Sequence, residues 1–338
     1  MPSPQSYIFR WAWSRVTARV DQYSSPQEMQ AVMQRGVNRV ILPRGVKMHK
    51  VDAGGVPAEW ITPADAVDGV LLYIHGGAWT LGWNPLHRWL VGNLARATGL
   101  RALALDYRLA PQYPFPAALE DCLAAYRWLL AGGARPEKIV IGGDSAGGNL
   151  TLTTILALRD SGDPLPAAGV CLSPVTDLAG EAENNPQITP SPTTRDEYEI
   201  TQIEQMSPMT ERAGSDRPPV SDEDPGLPVE WAQQQLRYYL GDTDPHLPLV
   251  SPFYADLHGL PPLLIQVGGA EYLRKDAERF APRARAAGVD VTLQVWPEMW
   301  HVWQILVGLM PESNQAVQAI RTFVRGVLDG NLAPAGSV

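Results

Sequence analysis

The 338-residue chain contains only two cysteines, Cys122 and Cys171. Both fall in apolar segments rather than at loop spacings, which excludes a disulfide framework and predicts two buried free thiols. No uninterrupted apolar run approaches the roughly 18–20 residues needed to span a bilayer. The stretch from Met1 to Val20 lacks the charged, then apolar, then small-residue order of a secretory signal, so a soluble, cytoplasmic protein is expected. Basic residues are also in short supply. Lys and Arg number 27 against 36 Asp and Glu, for a formal charge of −9 and a sequence pI near 5.2. With no Lys/Arg cluster, nucleic acid and anionic membranes are poor partners. Internal repeats are absent. At 45% hydrophobic and 19% charged, the chain can nevertheless bury a large core.

The first forty residues read as helical, with Tyr7, Ile8, Trp11 and Val16 near one face, a helix start at Ser25-Pro26 and a stop at Gly36. Residues 46–61 read as two short strands joined at Gly54-Gly55. From residue 70 the pattern becomes strand alternating with helix. Apolar strands lie at Val70 to Ile74, Ala102 to Leu105, Lys138 to Ile141, Ala168 to Leu172, Leu263 to Val267 and Val289 to Val295. Helices are predicted near 116–130, 146–160, 273–287 and 313–328. This alternation predicts an α/β fold with a mostly parallel sheet covered by helices on both faces. Residues 180–235 stand apart, rich in Pro, Glu, Asp, Ser and Thr, and read as a mobile insertion, either disordered or a functional lid.

The chemistry begins at Gly143-Asp144-Ser145-Ala146-Gly147, directly after one predicted strand and before a helix. A serine on such a tight turn is held in strained backbone angles with its hydroxyl above the sheet, and the flanking glycines remove the Cβ atoms that would clash. The following helix N-terminus offers free N–H groups to a developing oxyanion. His75-Gly76-Gly77-Ala78-Trp79 follows the first strand of the series. Gly76, Gly77 and Ala78 from this loop, with Ala146, form the candidate oxyanion hole. Of six histidines, His301 lies just past the last predicted strand, on the sheet edge that carries Ser145, and is the candidate base; His75 is read as scaffold. The acid should follow the preceding strand, where Glu271 stands at the strand end and Asp276 about a turn into the helix. Glu271 is preferred, with Asp276 the alternative, and the chain order Ser145, Glu271, His301 is the α/β-hydrolase order. Asp144 is read as a partner that stabilises the turn, Asp106-Tyr107-Arg108 as packing and ion pairing, and the tryptophans at 79, 83, 300 and 303 as flanking the site.

Together these segments resemble the hormone-sensitive-lipase-like group of α/β-hydrolase esterases, family IV of the bacterial lipolytic enzymes. The resemblance rests on His75-Gly-Gly-Ala-Trp79, Asp106-Tyr-Arg-Leu-Ala-Pro111 with Pro114-Phe-Pro116, Gly143-Asp-Ser-Ala-Gly-Gly148, Leu172-Ser-Pro174 and the Glu271 and His301 regions. It implies a carboxylic ester hydrolase acting on short to medium acyl chains, with Ser145 as nucleophile, His301 as base and no cofactor or metal. It also implies an α/β-hydrolase catalytic domain at 41–175 and 236–330, a cap from the helices of 1–40 and an insertion at 176–235. A homodimer through the sheet edge at 289–295 is implied as well. The sequence departs from the family at Ala78, where glycine is commoner, at Glu271, where Asp is usual, and in the longer, more acidic 180–230 segment. An amidase of arylformamidase type is the alternative with the same triad. A non-catalytic ligand-binding protein on this fold is a third reading, disfavoured because His301 is present.

Overall fold

In a computed structural model, residues 2–17, 26, 28, 42–180 and 229–331 are described. Eight strands form one sheet: β1 Val46–Asp52, β2 Pro57–Pro63, β3 Val70–Ile74, β4 Arg101–Leu105, β5 Ile139–Asp144, β6 Ala168–Leu172, β7 Leu263–Gly268 and β8 Val291–Trp296. Their order is β1-β2-β4-β3-β5-β6-β7-β8. The β1–β2 and β2–β4 pairs are antiparallel, while β3 to β8 run parallel, as expected for crossovers through helices. The consequence for function is direct: the loops after β3, β5, β6, β7 and β8 all open on one edge of the sheet.

The described α-helices are α1 Pro4–Thr17, α2 Pro85–Thr98, α3 Ala117–Ala131, α4 Ala146–Asp160, α5 Val229–Leu240, α6 Arg274–Ala286 and α7 Pro311–Leu328. Side chains alternate along β3, and this builds two cores. Leu72 and Ile74 face a cluster with Leu119 and Cys122 of α3, Leu150 and Ile155 of α4 and Phe280 of α6. Leu71 and Tyr73 face the other cluster, with Leu90 and Leu94 of α2 and Val317 and Ile320 of α7. Cys122 and Cys171 are free and buried, as expected.

Helix α2 has no counterpart in the sequence reading, yet its punctuation is written in the chain. Asn84 caps it, its side-chain oxygen accepting from the N–H groups of Leu86 and His87 at 3.0 and 3.3 Å. Pro85 stands at the first helical position and Gly99 closes the helix at φ 78°. Helix α1 is present at Pro4–Thr17 and docks through a different face from the one that carries Tyr7, Ile8 and Trp11. Phe9 packs on a cluster of Trp296, Met299, Trp300 and Trp303, whereas Tyr7, Ile8 and Trp11 are exposed. The expected stop at Gly36 and the insertion at 181–228 lie outside the described residues. None of the described helices is long and apolar enough to cross a membrane.

Candidate active site

Strand β5 delivers Ser145 into a backbone conformation of φ 53° and ψ −119°, and α4 begins at the next residue. Such a conformation costs a residue with a Cβ and persists only where the surroundings enforce it. Glycines enforce it here. A Cβ on Gly147 would lie 2.7 Å from the His75 carbonyl and closer still to that of Ile74. The Ser145 N–H is tied to the Leu172 carbonyl at 2.8 Å, anchoring the turn to β6. Ala146 opens α4, so its N–H belongs to the first turn, which has no intrahelical partner.

His301 Nε2 lies 2.9 Å from Ser145 Oγ, across 156 residues of chain. His301 Nδ1 lies 3.7 Å from Glu271 Oε1. All three side chains are buried. The other oxygen of Glu271 accepts from the Gly268 N–H at 2.9 Å and the Ser173 hydroxyl at 2.8 Å. Asp276 is directed elsewhere. Its Oδ2 accepts from the N–H groups of Thr176 and Asp177 at 2.8 and 3.1 Å. Burial pushes the Asp276 carboxyl up to about 6 against those bonds.

The His75–Trp79 loop lies beside the serine turn. Gly77 has φ 116°, and Ala78 and Trp79 follow at 52° and 59°, so Ala78 keeps its N–H at the expense of left-handed strain. His75 is fully buried, stacked on Tyr107 at 4.3 Å, with Nδ1 2.6 Å from the Gly76 carbonyl. Burial, and then the nearby charge of His87, push its pKa down to about 3, so it stays neutral and serves as scaffold. Asp144 lies against Gly76, accepts from the Tyr73 hydroxyl at 2.6 Å and stands 3.7 Å from His87 Nε2. Burial alone would raise its pKa. The His87 charge and the hydrogen bond from Tyr73 outweigh burial and hold Asp144 below the usual value. Tyr73 and His87 are the partners that sequence reasoning missed. One lies inside β3 and the other on α2, and no linear spacing connects them to residue 144.

A family model described as the α/β-hydrolase fold matches residues 71–208 and 193–305. An acetyl-hydrolase of Streptomyces hygroscopicus is 42% identical over 275 residues, covering 81% of each chain. LipR of Mycobacterium tuberculosis, a putative acetyl-hydrolase by name, is 35% identical over 287 residues, covering 85% of this chain and 82% of its own. The crystal structure of an esterase from the bacterial hormone-sensitive lipase family superposes with a TM-score of 0.80 at 40% identity, covering 97% of this chain and 99% of its own. The chain belongs to the hormone-sensitive-lipase-like esterases.

Within this esterase frame the remaining motif residues have structural work. Tyr107 donates to the His75 carbonyl at 2.9 Å, and Arg108 binds Asp121 and Glu120. Trp79, Trp83, Trp300 and Trp303 are all buried. Trp79 stacks on Tyr239 of α5 at 4.3 Å, while Thr80 donates to Gln235 at 3.0 Å, so α5 is seated on the loop that carries Gly77 and Ala78. Six non-glycine residues have positive φ among the described residues: Ala78, Trp79, Ser145, Ser173, Glu298 and Val302. Every one follows β3, β5, β6 or β8 on the edge that carries the site, so backbone strain is concentrated there. Among the described residues no group of His, Cys, Asp and Glu is arranged to hold a metal ion.

Proposed function

We propose that this esterase hydrolyses short- to medium-chain carboxylic esters through an acyl-enzyme, with Ser145 as nucleophile, His301 as general base and Glu271 as the orienting acid. The observation that carries the proposal is the 2.9 Å approach of His301 Nε2 to Ser145 Oγ on a turn strained at φ 53°. His301 takes the serine proton as Oγ attacks the ester carbonyl. The resulting oxyanion is held by N–H groups of Gly76, Gly77, Ala78 and Ala146. His301 then protonates the departing alcohol. Water, deprotonated in turn by His301, cleaves the acyl-enzyme and regenerates Ser145. Glu271 holds the imidazole in the tautomer that leaves Nε2 unprotonated and stabilises the imidazolium. The reaction balances with water as the only co-reactant.

The cap over the acyl site is assigned to residues 1–40 and 176–235, and the α/β-hydrolase catalytic domain to 41–175 and 236–330. Support for a cap comes from the first part of α5, where Gln235 accepts from Thr80 beside the Gly77–Ala78 loop. Strand β8 ends the sheet, which supports the pairing of two copies through residues 289–295; sedimentation of wild type beside a Val295→Pro variant, whose missing N–H faces the open edge rather than β7, tests it. The activity is tested by turnover of p-nitrophenyl esters from acetate to laurate with wild type and Ser145→Ala. A maximum at one chain length, lost in the variant, is expected. An amidase would instead turn over N-formyl anilides faster than any of these esters.

A further inference from the structure

Ser173 occupies the first position after β6, in Leu172-Ser-Pro174, and is fully buried. Its backbone has φ 48°, in the left-handed region that glycine adopts freely and a residue with a Cβ does not. What serine supplies there and glycine lacks is a hydroxyl. That hydroxyl makes two bonds, one to each of the loops that carry Glu271 and His301. It donates to Glu271 Oε2 at 2.8 Å and accepts from the Val302 N–H at 3.3 Å. Val302 follows His301 directly and is itself held at φ 52°, an unusual backbone for a β-branched residue. The Ser173 N–H is meanwhile fastened to the Gln266 carbonyl of β7 at 2.7 Å, so the hydroxyl is presented from a fixed base.

Resting on the triad proposed above, we infer that Ser173 is a positioning residue, whose one hydroxyl selects the oxygen of Glu271 that faces His301 and fastens the loop that carries His301. The need for it follows from the length of glutamate. A Glu side chain has one more torsion than Asp, and its carboxylate rotates in a broad well, so its two oxygens are interchangeable unless one is held. Ser173 and the Gly268 N–H together hold Oε2. Oε1 is thereby left toward His301 Nδ1, at 3.7 Å, a separation that a small movement of the imidazole on binding would close. Because the site is buried, no bulk water is at hand to take over the lost hydroxyl.

The test is a double-mutant cycle on p-nitrophenyl butyrate with Ser173→Ala, Ser173→Gly, Glu271→Gln and the Ser173→Ala/Glu271→Gln pair, with melting temperatures for each. Both single changes at Ser173 should lower kcat roughly 10- to 100-fold with KM within about twofold. Glycine should do so although it relieves the backbone strain and holds the melting temperature. In the Glu271→Gln background the same Ser173→Ala change should cost clearly less than in wild type, because only the hold on Val302 is then left to lose. Wild-type kcat in Ser173→Gly, or an equal loss in both backgrounds, overturns the inference while the triad stands. Wild-type kcat in Glu271→Gln overturns the triad acid and this inference with it.

Discussion

Glu271, in the turn between β7 and α6, and Asp276, in the first turn of α6, lie five residues apart and face different loops. Glu271 turns toward Ser173 and His301, whereas Asp276 accepts the backbone N–H groups of Thr176 and Asp177. On that geometry Glu271→Gln should lower kcat on the order of 10²–10⁴-fold, because a neutral amide neither fixes the tautomer nor stabilises the imidazolium. Asp276→Asn should leave kcat within about threefold, since an amide oxygen still accepts from both N–H groups. Steady-state kinetics on p-nitrophenyl butyrate separate the two, and a reversed ranking would move the acid to Asp276.

Asp276 also sets a pH dependence of stability. Its folded pKa is raised from 3.8 to about 6, chiefly by burial, so the folded protein keeps the proton over a range in which the unfolded chain has lost it. Stability from this group is complete below about pH 4 and is lost as pH rises through 6. Asp276→Asn removes that dependence. Urea titrations at pH 4, 6 and 8 should show the variant gaining on wild type between pH 4 and 6, with no further gain above it. A gain that grows on acidification would contradict the assignment.

Glu59 carries the opposite sign. Burial alone would raise its pKa, but hydrogen bonds from Arg88 and Trp83 and the guanidinium charge outweigh burial and lower it. Its stabilisation is therefore present above the unfolded carboxyl value and fades as pH falls through the folded one. Arg88 binds it in a two-pronged contact of 2.7 and 2.8 Å that ties α2 to β2. Arg88→Ala should cost about 3 kcal/mol at pH 7, because it strands a buried carboxylate. Glu59→Gln should cost less. Denaturant melts of the two variants at pH 7 provide the comparison.

Gly147→Ala should abolish esterase turnover even where the protein folds. Its Cβ would press on the carbonyls of Ile74 and His75, which are backbone and cannot swing away. The serine turn and the His75–Trp79 loop would have to separate, moving the nucleophile from the oxyanion donors; even about 1 Å can cost 10²-fold. Labelling by a fluorophosphonate reads this directly. Undiminished labelling of a folded variant would show that the two loops do not have to touch.

Much of this site was legible in the chain because its chemistry rests on local order. A serine between glycines, after a buried strand and before a helix, has one turn geometry available to it. A parallel sheet then places His301 and Glu271 on the same edge because both follow strands. The boundaries of α4 and β6 agree with the sequence reading residue for residue, since each is a short apolar run closed by glycine, polar or proline residues. Helix α2 went unread although Asn84, Pro85 and Gly99 mark its ends. Its buried Leu90, Val91, Leu94 and Ala95 keep the helical period, but Gly92 and Asn93, poor helix formers, fall between them.

Other features depend on contacts between distant segments. Which carboxylate of the 271–276 stretch turns toward His301 depends on the rotation of β7 into α6 and on a hydroxyl from β6, information spread over about 100 residues. Tyr73 and His87 reach Asp144 only after α2 has packed on the face of β3. The exposed Tyr7, Ile8 and Trp11 likewise follow from α1 docking through Phe9, a choice between faces that helical periodicity does not make. The sequence by itself determined the strand–helix alternation, the serine turn and the order of the three candidate catalytic groups, because each is set by neighbours within a few residues. Only the tertiary structure decided distances, carboxylate orientation and protonation, because these depend on burial and on groups that folding alone brings within hydrogen-bonding reach.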